Sequence, residues 1–239
     1  MLDLLYEDRE LIVAKKPVGI ESQSSRGFAA DMVSEIKRHI HNSSPTAGEP
    51  YVGVIHRLDK PVSGIMVYAK TKNAAAVLSK QAADGTMKKK YLAVVCGKPV
   101  DKVDNFVDYL LKDGKTNTSR IVDKWIDGGK IARLQFRELE SREVEPYGVL
   151  SLLEVELLTG RHHQIRVQMA GHGLPLWGDN KYNPAFGGGE ESRRRGAENV
   201  ALSACELSFI HPSTGERMTF SRKPEGKIFQ NFQSCMEQP

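Results

Sequence analysis

The sequence predicts an α+β protein in which a mostly antiparallel mixed central sheet is flanked by helices. Two apolar, β-branched runs, Tyr51–Ile55 and Ile65–Ala69, flank a polar centre and indicate a strand, a loop and a strand. A hairpin-type turn, Asp127–Gly129, separates two further strand-like segments. Between Ala29 and His41, apolar residues recur three or four positions apart, which is typical of an amphipathic helix.

The remaining elements follow from the same periodicities and from turn residues. A helix is expected over Ala74–Ala83, with Asn73 as its cap and Gly85 at its end. Helical spacing also marks Arg161–Ala170, and a last helix is expected from Ile228 to Met236. The other predicted strands are Leu4–Tyr6, Leu11–Ala14, Ile121–Ile126, Ile131–Leu139, Val149–Leu158, Val200–Ile210 and Arg217–Ser221.

Length and composition limit the domain organisation and the partners. The chain has 239 residues, of which 40% are hydrophobic, so it can bury a large core. Because no linker rich in proline, glycine or serine divides it, a single domain over residues 1–239 is expected, and because the first predicted strands begin almost at Met1, no separate N-terminal domain is expected. The formal net charge is only +4, so any surface for nucleic acid must come from local clustering of cations.

The cysteines and the N-terminal segment predict a cytoplasmic protein. The three cysteines are far apart and form no Cys-x-x-Cys pair, which argues against a disulfide framework or a cysteine zinc site. No membrane-spanning run is present, and the segment Met1–Asp8 carries acidic residues where a secretory signal would need basic ones.

The polar centre between the two apolar runs holds the candidate catalytic residue, Asp59. Arg57 and Asp59 are two positions apart, and in an extended segment such positions face the same side. The pair can therefore line one cleft, or it can be a surface ion pair, which contributes little to stability. Spacing alone favours the surface ion pair.

Three motifs in order resemble those of the RluA family of pseudouridine synthases. They are His56–Asp59 followed by Ser63-Gly64, then Lys89–Val95, and then Thr159–Val167. The family pattern has threonine where this chain has Val62. The resemblance covers most of the chain and is weakest at residues 101–146 and 186–197.

The resemblance implies the fold of a pseudouridine synthase catalytic domain and an isomerase acting on uridines in RNA. It implies that Asp59 is the catalytic carboxylate, that Tyr91 contacts the base, and that Arg166 pairs with Asp59. It also implies that Arg57 fills the gap left by a flipped uridine. A cleft formed by Asp59, Tyr91 and Arg166 is therefore expected.

Further RNA contacts are expected from cations beside these motifs. Lys89 and Lys90 run directly into the Tyr91 strand, and Arg161 stands at the turn that leads into the next helix. The arginine triplet Arg193–Arg195 lies in a glycine-rich loop and can be either an RNA clamp or a solvated insertion. The expected partner is structured RNA, either ribosomal or transfer RNA, bound by a monomer.

No metal or cofactor is expected. His162 and His163 are adjacent, and neighbouring residues on a helix point in different directions. No paired carboxylate or cysteine joins them in sequence, and the resemblance likewise implies chemistry without a metal.

Two other classes of function remain open at this stage. A noncatalytic RNA-binding module or chaperone on the same scaffold would bind RNA but would not need Asp59, Tyr91 and Arg166 together. A glycoside or nucleoside hydrolase also cleaves a bond at an anomeric carbon, but most glycosidases need two carboxylates. No second acidic residue lies in the three motifs.

Overall fold

The structure is a computed structural model that describes residues 2–24, 31–43, 48–188 and 199–235. The chain divides into two compact units, each made of two stretches of sequence. The first is Met1–Lys89 with Ala204–Arg222, and the second is Lys90–Ser203 with Lys223–Pro239. The single catalytic domain expected from the sequence stays a prediction. The predicted arginine triplet lies outside the described residues.

The structure confirms the α+β class. The strands in chain order are β1 (Asp3–Glu7), β2 (Leu11–Lys16), β3 (Gly53–Val54), β4 (Ser63–Ala69), β5 (Lys88–Cys96), β6 (Val103–Asp113), β7 (Thr118–Val122), β8 (Lys130–Val144), β9 (Gly148–Leu157), β10 (Leu202–Ile210) and β11 (Arg217–Ser221). The helices are α1 (Met32–Ser43), α2 (Lys72–Asp84) and α3 (Gln164–Gly171), and short 3₁₀ turns cover Pro184–Phe186, Lys227–Asn231 and Gln233–Cys235.

In the first unit, β4 follows the loop that holds His56–Asp59, begins with the Ser63-Gly64 pair and runs through the core. It pairs antiparallel with β2, where Val13 lies opposite Val67, and with β3. Every residue of β4 is buried. Helix α2 covers these strands, and Leu78 of the helix shares one hydrophobic cluster with Val67 and with Phe209 of β10.

The helix boundaries follow from capping groups that the sequence only partly predicts. Helix α1 starts at Met32, where Asp31 Oδ1 accepts a hydrogen bond from the Ser34 amide at 2.7 Å. Thr71, not the expected Asn73, caps α2, because its side chain accepts from the Ala74 amide at 3.1 Å. Gly85 ends α2 in the left-handed conformation, as predicted.

In the second unit, the strand order is β5-β9-β8-β6-β7. Along β8 the residues Ala132, Leu134 and Phe136 are buried, while those between them are exposed, so one face of these strands is covered. Helix α3 lies on the covered face. Its Val167 packs against Ala132 and Leu110, which are both buried.

Other sequence expectations also differ from the structure. The predicted strand Ile121–Ile126 lies earlier in the chain, because β7 spans Thr118–Val122. The run Tyr51–Ile55 forms only the two-residue strand β3, and α3 begins three residues later than expected. The predicted final helix is replaced, within the described part of that segment, by two 3₁₀ turns. The eleven-residue strand β6 was not predicted, because its residues mix polar and apolar types without a clear alternation.

No helix in residues 2–24, 31–43, 48–188 or 199–235 is both long enough and apolar enough to cross a membrane.

Candidate active site

Asp59 lies in the loop between β3 and β4, and buried residues hold the loop on both sides of it. Leu58 is buried directly before it, and the Asp59 carbonyl accepts a hydrogen bond from the Val62 amide at 2.9 Å. Val62 and Ser63 are buried directly after this turn. The backbone that carries the half-buried Asp59 is therefore fixed by its neighbours.

Ser22 holds the residue that precedes Asp59. Its hydroxyl donates to the Leu58 carbonyl at 2.9 Å and accepts from the Leu58 amide at 3.0 Å. Ser22 is itself buried, and it lies 36 residues away in sequence. One side chain therefore satisfies both backbone groups of Leu58, as a paired strand would.

Lys16 holds the residue that follows Asp59. Its side chain is completely buried, and Nζ donates to the carbonyls of Pro17 at 3.0 Å, Ile20 at 2.7 Å and Lys60 at 3.3 Å. Burial lowers the pKa of Lys16 to about 8, although the charge of Asp59 opposes this shift. Sequence analysis did not predict this role of Lys16, because its contact with Lys60 spans 44 residues.

Gly64 allows β4 to leave the loop close to β10. Its φ is +136°, and a Cβ there would meet the carbonyl oxygen of Ala204 and lie 2.5 Å from the Ala204 nitrogen. No L side chain fits this position without movement of the backbone. The glycine of the Ser63-Gly64 pair is therefore required for the approach of β4 and β10.

His56, the first residue of the His56–Asp59 motif, is a half-buried and neutral group. Its Nε2 accepts a hydrogen bond from the Val67 amide at 3.3 Å, which places the ring proton on Nδ1. Burial, and then the nearby charge of Lys89, lower the pKa of His56 to about 3. Burial also lowers the pKa of Lys89. The imidazole therefore serves as an uncharged support for β4.

Tyr91 is a buried residue of β5 in the second unit. The register places it opposite Val155 of β9, and Val155 lies opposite Phe136 of β8. Tyr91 is thus on the same sheet face as the buried residues of β8. Lys90, which precedes it, points to the other face and lies 3.8 Å from Glu154.

Arg166 is buried in α3 and forms a two-point salt bridge with Asp179. Its Nε and Nη2 each lie 2.7 Å from a different carboxylate oxygen of Asp179. The guanidinium carbon of Arg166 also lies 5.2 Å from the centre of the Tyr182 ring. The predicted Asp59–Arg166 pair joins residues of the two units and stays a prediction.

Sequence analysis predicted no functional role for Asp179 or for Tyr182. Asp179 also accepts from the amides of Lys181 and Tyr182, at 2.9 and 3.2 Å, so it fixes the turn and Arg166 together. The sequence signal for this pair is an acidic residue, Asp179, at the end of an apolar turn. A carboxylate buried by such a turn needs a positively charged partner.

The other two candidate arginines differ in exposure. Arg57 is exposed beside Asp59. Arg161 is partly buried, and its Nε donates to the Ile131 carbonyl at 2.8 Å, which ties the turn before α3 to β8. Arg161 therefore has a structural contact in addition to any contact with RNA.

His162 and His163 precede α3 and do not point apart, contrary to the expectation for neighbours on a helix. Their rings stack with centres 3.7 Å apart. His162 contacts the Ser119 hydroxyl at 2.9 Å, and His163 contacts the Tyr182 hydroxyl at 2.7 Å. Within the described ranges, no group of three or more histidine, cysteine, aspartate or glutamate side chains is placed to hold a metal ion.

The family model for RNA pseudouridylate synthase matches residues 10–171, a segment that contains Asp59, Tyr91 and Arg166. This chain belongs to the RNA pseudouridylate synthase family. The family resemblance seen in the three sequence motifs is thereby confirmed. As the name of the family states, its members are synthases of pseudouridine in RNA, and they are isomerases because pseudouridine is an isomer of uridine.

Curated relatives support this membership. The chain is 35% identical to the uncharacterized RNA pseudouridine synthase YhcT of Bacillus subtilis, over 90% of this chain and 66% of that protein. It is 32% identical to the ribosomal large subunit pseudouridine synthase D of Zymomonas mobilis, over 92% of this chain and 68% of that protein. The chain thus spans about two thirds of the length of these two relatives.

Solved structures of pseudouridylate synthase proteins share the fold. Human RNA Pseudouridylate Synthase Domain Containing 4 superposes with a TM-score of 0.75 at 22% identity, over 95% of this chain and 90% of that chain. Human RNA Pseudouridylate Synthase Domain Containing 1 gives a TM-score of 0.72 at 19% identity, over 100% of this chain and 96% of that one. The fold expected from the resemblance is therefore confirmed.

Proposed function

We propose that this protein converts specific uridines of a structured RNA into pseudouridine, with Asp59 as the catalytic carboxylate. The observation that supports the proposal is the family match over residues 10–171, which includes Asp59, Tyr91 and Arg166. The loop that carries Asp59 is held by Ser22 before the aspartate and by Lys16 after it. Such support limits the motion of a reacting group.

The reaction explains why one fixed carboxylate is needed. The bond between N1 of uracil and C1′ of the ribose breaks, the base rotates, and a bond forms between C5 and C1′. The hydrogen on C5 is then lost as a proton and N1 takes up a proton from solvent, so the product is an isomer of uridine and no oxidant or reductant takes part. Asp59 can attack the base, attack the sugar or remove a ribose proton, and each route uses its ionised form.

The remaining candidate residues take supporting roles in this proposal. Tyr91 contacts the base, and Arg166 orients and balances the charge of Asp59. Arg57 fills the gap that the flipped uridine leaves in its stack. Lys89, Lys90 and Arg161 contact the RNA backbone, where cations neutralise phosphates.

We extend the proposal to ribosomal or transfer RNA as substrate and to a cytoplasmic monomer that needs no cofactor or metal. Ribosomal RNA is the first substrate to test, because relatives such as the protein of Zymomonas mobilis are named for the ribosomal large subunit. Cys96, Cys205 and Cys235 form no disulfides, which fits a reducing compartment.

Tritium release from RNA labelled at uridine C5 tests the proposed function. Wild type and Asp59→Asn are compared on a labelled transcript of large-subunit ribosomal RNA and on a labelled transfer RNA pool, and digested products are examined for pseudouridine. The asparagine keeps the shape of the side chain and removes its charge. We expect release and pseudouridine with the wild type and a loss of at least a thousandfold, roughly, with Asp59→Asn.

Three outcomes would contradict the proposal. If neither protein releases tritium although both bind RNA, the chain is a noncatalytic RNA-binding module. If Asp59→Asn retains full activity, another group performs the chemistry. If free uracil accumulates, the protein is a hydrolase of the glycosidic bond.

A further inference from the structure

The hairpin formed by β6 and β7 carries cations that no ion pair neutralises among the described residues. Lys112, Lys115 and Arg120 line a surface depression of about 460 Å³, together with Leu111, Asp113 and Gly114. The residues that line the depression thus carry three positive charges and one negative charge. This imbalance is local, because the net charge of the whole chain is only +4.

The carboxylate in the depression is engaged by its own loop. Asp113 Oδ1 accepts from the amides of Lys115 at 2.8 Å and Thr116 at 3.4 Å, and these hydrogen bonds lower the pKa of Asp113. Arg120 adds only a weaker charge interaction to this effect. The aspartate therefore shapes the turn, and the depression keeps an excess of positive charge.

An exposed tryptophan lies on the loop next to this hairpin. Trp125 is 82% exposed, and the Lys124 ammonium lies 4.3 Å from the centre of its ring. The loop that carries Trp125 reaches the depression, because a Cβ on Gly128 would lie 3.2 Å from Leu111 Cδ1. Cations beside an exposed aromatic ring are the arrangement by which proteins bind single-stranded nucleic acid.

The hairpin is held rigidly against the rest of the second unit. The Ser119 amide donates to the Tyr182 hydroxyl at 2.8 Å, and the Lys181 ammonium donates to the Asn117 carbonyl at 2.8 Å. Helix α3 approaches β7 closely, since a Cβ on Gly171 would collide with Ile121. A rigid support means that a ligand on the hairpin meets charges already in place.

From these observations we infer that Lys112, Lys115, Arg120, Lys124 and Trp125 form a second RNA-binding surface, called here the hairpin surface. It binds the phosphates of an RNA segment outside the reacting uridine and stacks one unpaired base on Trp125. This inference rests on the proposed function for the identity of the RNA as substrate. The surface lies within residues 101–146, where the sequence motifs of the family are weakest, and in this inference it adds to RNA selection.

The test compares two double variants. One loses two charges of the hairpin surface, and the other loses two charges elsewhere in the same unit. Lys112→Gln with Lys115→Gln is compared with Lys98→Gln and Lys102→Gln, which are exposed lysines of the same unit outside the depression. Both double variants change the net charge equally. Thermal melting confirms that each is folded.

The binding of a fluorescent transcript of large-subunit ribosomal RNA is measured over a range of salt concentrations. Each lost phosphate contact lowers the slope of log affinity against log salt by roughly one, so the hairpin variant should lose roughly two and the control close to none. Trp125→Ala should weaken binding roughly tenfold, with little change in the salt slope.

Kinetics separate this inference from the proposed function. For tritium release, we expect the hairpin variant to raise KM roughly tenfold and to keep kcat, whereas Asp59→Asn loses kcat and keeps RNA affinity. If wild type releases no tritium, the proposed function fails, and the binding measurement still decides whether the hairpin surface holds RNA.

Several results would overturn the inference. One is an equal loss of salt slope in the hairpin and control variants, which would indicate only general electrostatic attraction. Another is unchanged binding in both, which would leave the surface as solvated charge or a contact for an acidic protein. A fall in kcat without a change in KM would show that the hairpin acts on the chemistry and not on RNA binding.

Discussion

Arg166 and Asp179 form a buried salt bridge in which two parallel hydrogen bonds are each 2.7 Å long. Both side chains are almost completely shielded from water, with exposed fractions of 3% and 0%. The carboxylate also holds two backbone amides of its turn. The arginine of the third family motif therefore depends on an acidic residue 13 positions later in the chain.

Replacement of Asp179 by asparagine should strongly destabilise the protein. The change leaves the Arg166 charge buried with no anionic partner at Asp179, which costs on the order of 3–5 kcal/mol. Urea unfolding followed by circular dichroism measures the loss. Asp123→Asn, at an exposed position of the same unit, is the matched control and should change stability by less than about 0.5 kcal/mol. Equal effects of the two variants would contradict the role given to the salt bridge.

Replacement of Ser22 by alanine should lower both stability and activity. Both backbone groups of Leu58 lose their partner, and buried unsatisfied groups cost on the order of 2 kcal/mol. Because Asp59 is the next residue, a small displacement should reduce kcat tenfold to a hundredfold, roughly, with KM nearly constant. Tritium release at a temperature where the variant is fully folded measures this effect.

Ser43→Ala is the control for Ser22. Ser43 also donates a hydrogen bond to a backbone carbonyl, at 3.0 Å from His39 O, but it is exposed on α1. It should leave kcat unchanged. A variant at Ser22 that melts earlier but keeps the wild-type kcat would show that this serine supports the fold alone.

Gly64→Ala should be far more damaging than Gly19→Ala, although both glycines have positive φ. A Cβ at Gly64 would overlap the backbone of Ala204, whereas a Cβ at Gly19 would meet nothing within 4 Å. We expect a loss of about 1–2 kcal/mol at Gly19 from the backbone conformation alone. At Gly64 the steric overlap adds to this cost, so failure to fold or a loss exceeding about 4 kcal/mol is expected. Comparable melting temperatures for the two variants would contradict the close approach of β4 and β10.

His56 should make the folded protein lose stability in acid. Its pKa is about 3 in the folded protein, compared with an ordinary value of 6.5. Between pH 6.5 and pH 3 the imidazole is therefore protonated in the unfolded chain but not in the folded protein, and the free energy of unfolding falls as the pH falls. The contribution is at most about 1.4 kcal/mol per pH unit. His56→Gln can still accept the Val67 hydrogen bond but does not titrate. The difference in unfolding free energy between wild type and variant should therefore shrink from pH 6.5 towards pH 3.

If the difference in unfolding free energy stays constant between pH 6.5 and pH 3, His56 is protonated in the folded protein as readily as in the unfolded chain. Parallel urea titrations at several pH values supply the comparison, and the carboxylates cancel because both proteins carry them.

The regular elements were largely accessible from the sequence, since β-branched runs such as Val149–Leu158 and the cap glycine Gly85 act locally. The motifs also indicated the family. Strand β6 was missed because its polar and apolar residues do not alternate clearly, and the residues of β8 that pair with it, from Lys130 to Arg137, lie at least 20 positions later in the chain. Pairing at that distance is set by tertiary contacts and not by local preference.

The candidate site was predictable in its motifs but not in its support. Ser22 binds Leu58 from 36 residues away, and Lys16 binds Lys60 from 44 residues away. Neither contact leaves a periodic signal, because each joins one side chain to a backbone group. Asp179 was missed because its side chain pairs with that of Arg166 across 13 positions, which leaves no local pattern either. The rings of His162 and His163 were expected to point apart because the start of α3 was placed too early.

Lys16 offers a way to time the opening of the segment that carries Asp59. Burial shields this amine and lowers its pKa, so an amine-acylating reagent can react with Lys16 only after the segment opens and the side chain regains the pKa and reactivity of an exposed lysine. In the closed form its side chain is fully shielded, and reaction requires local unfolding. The rate at which mass spectrometry detects acylated Lys16 therefore reports how often this part of the protein opens.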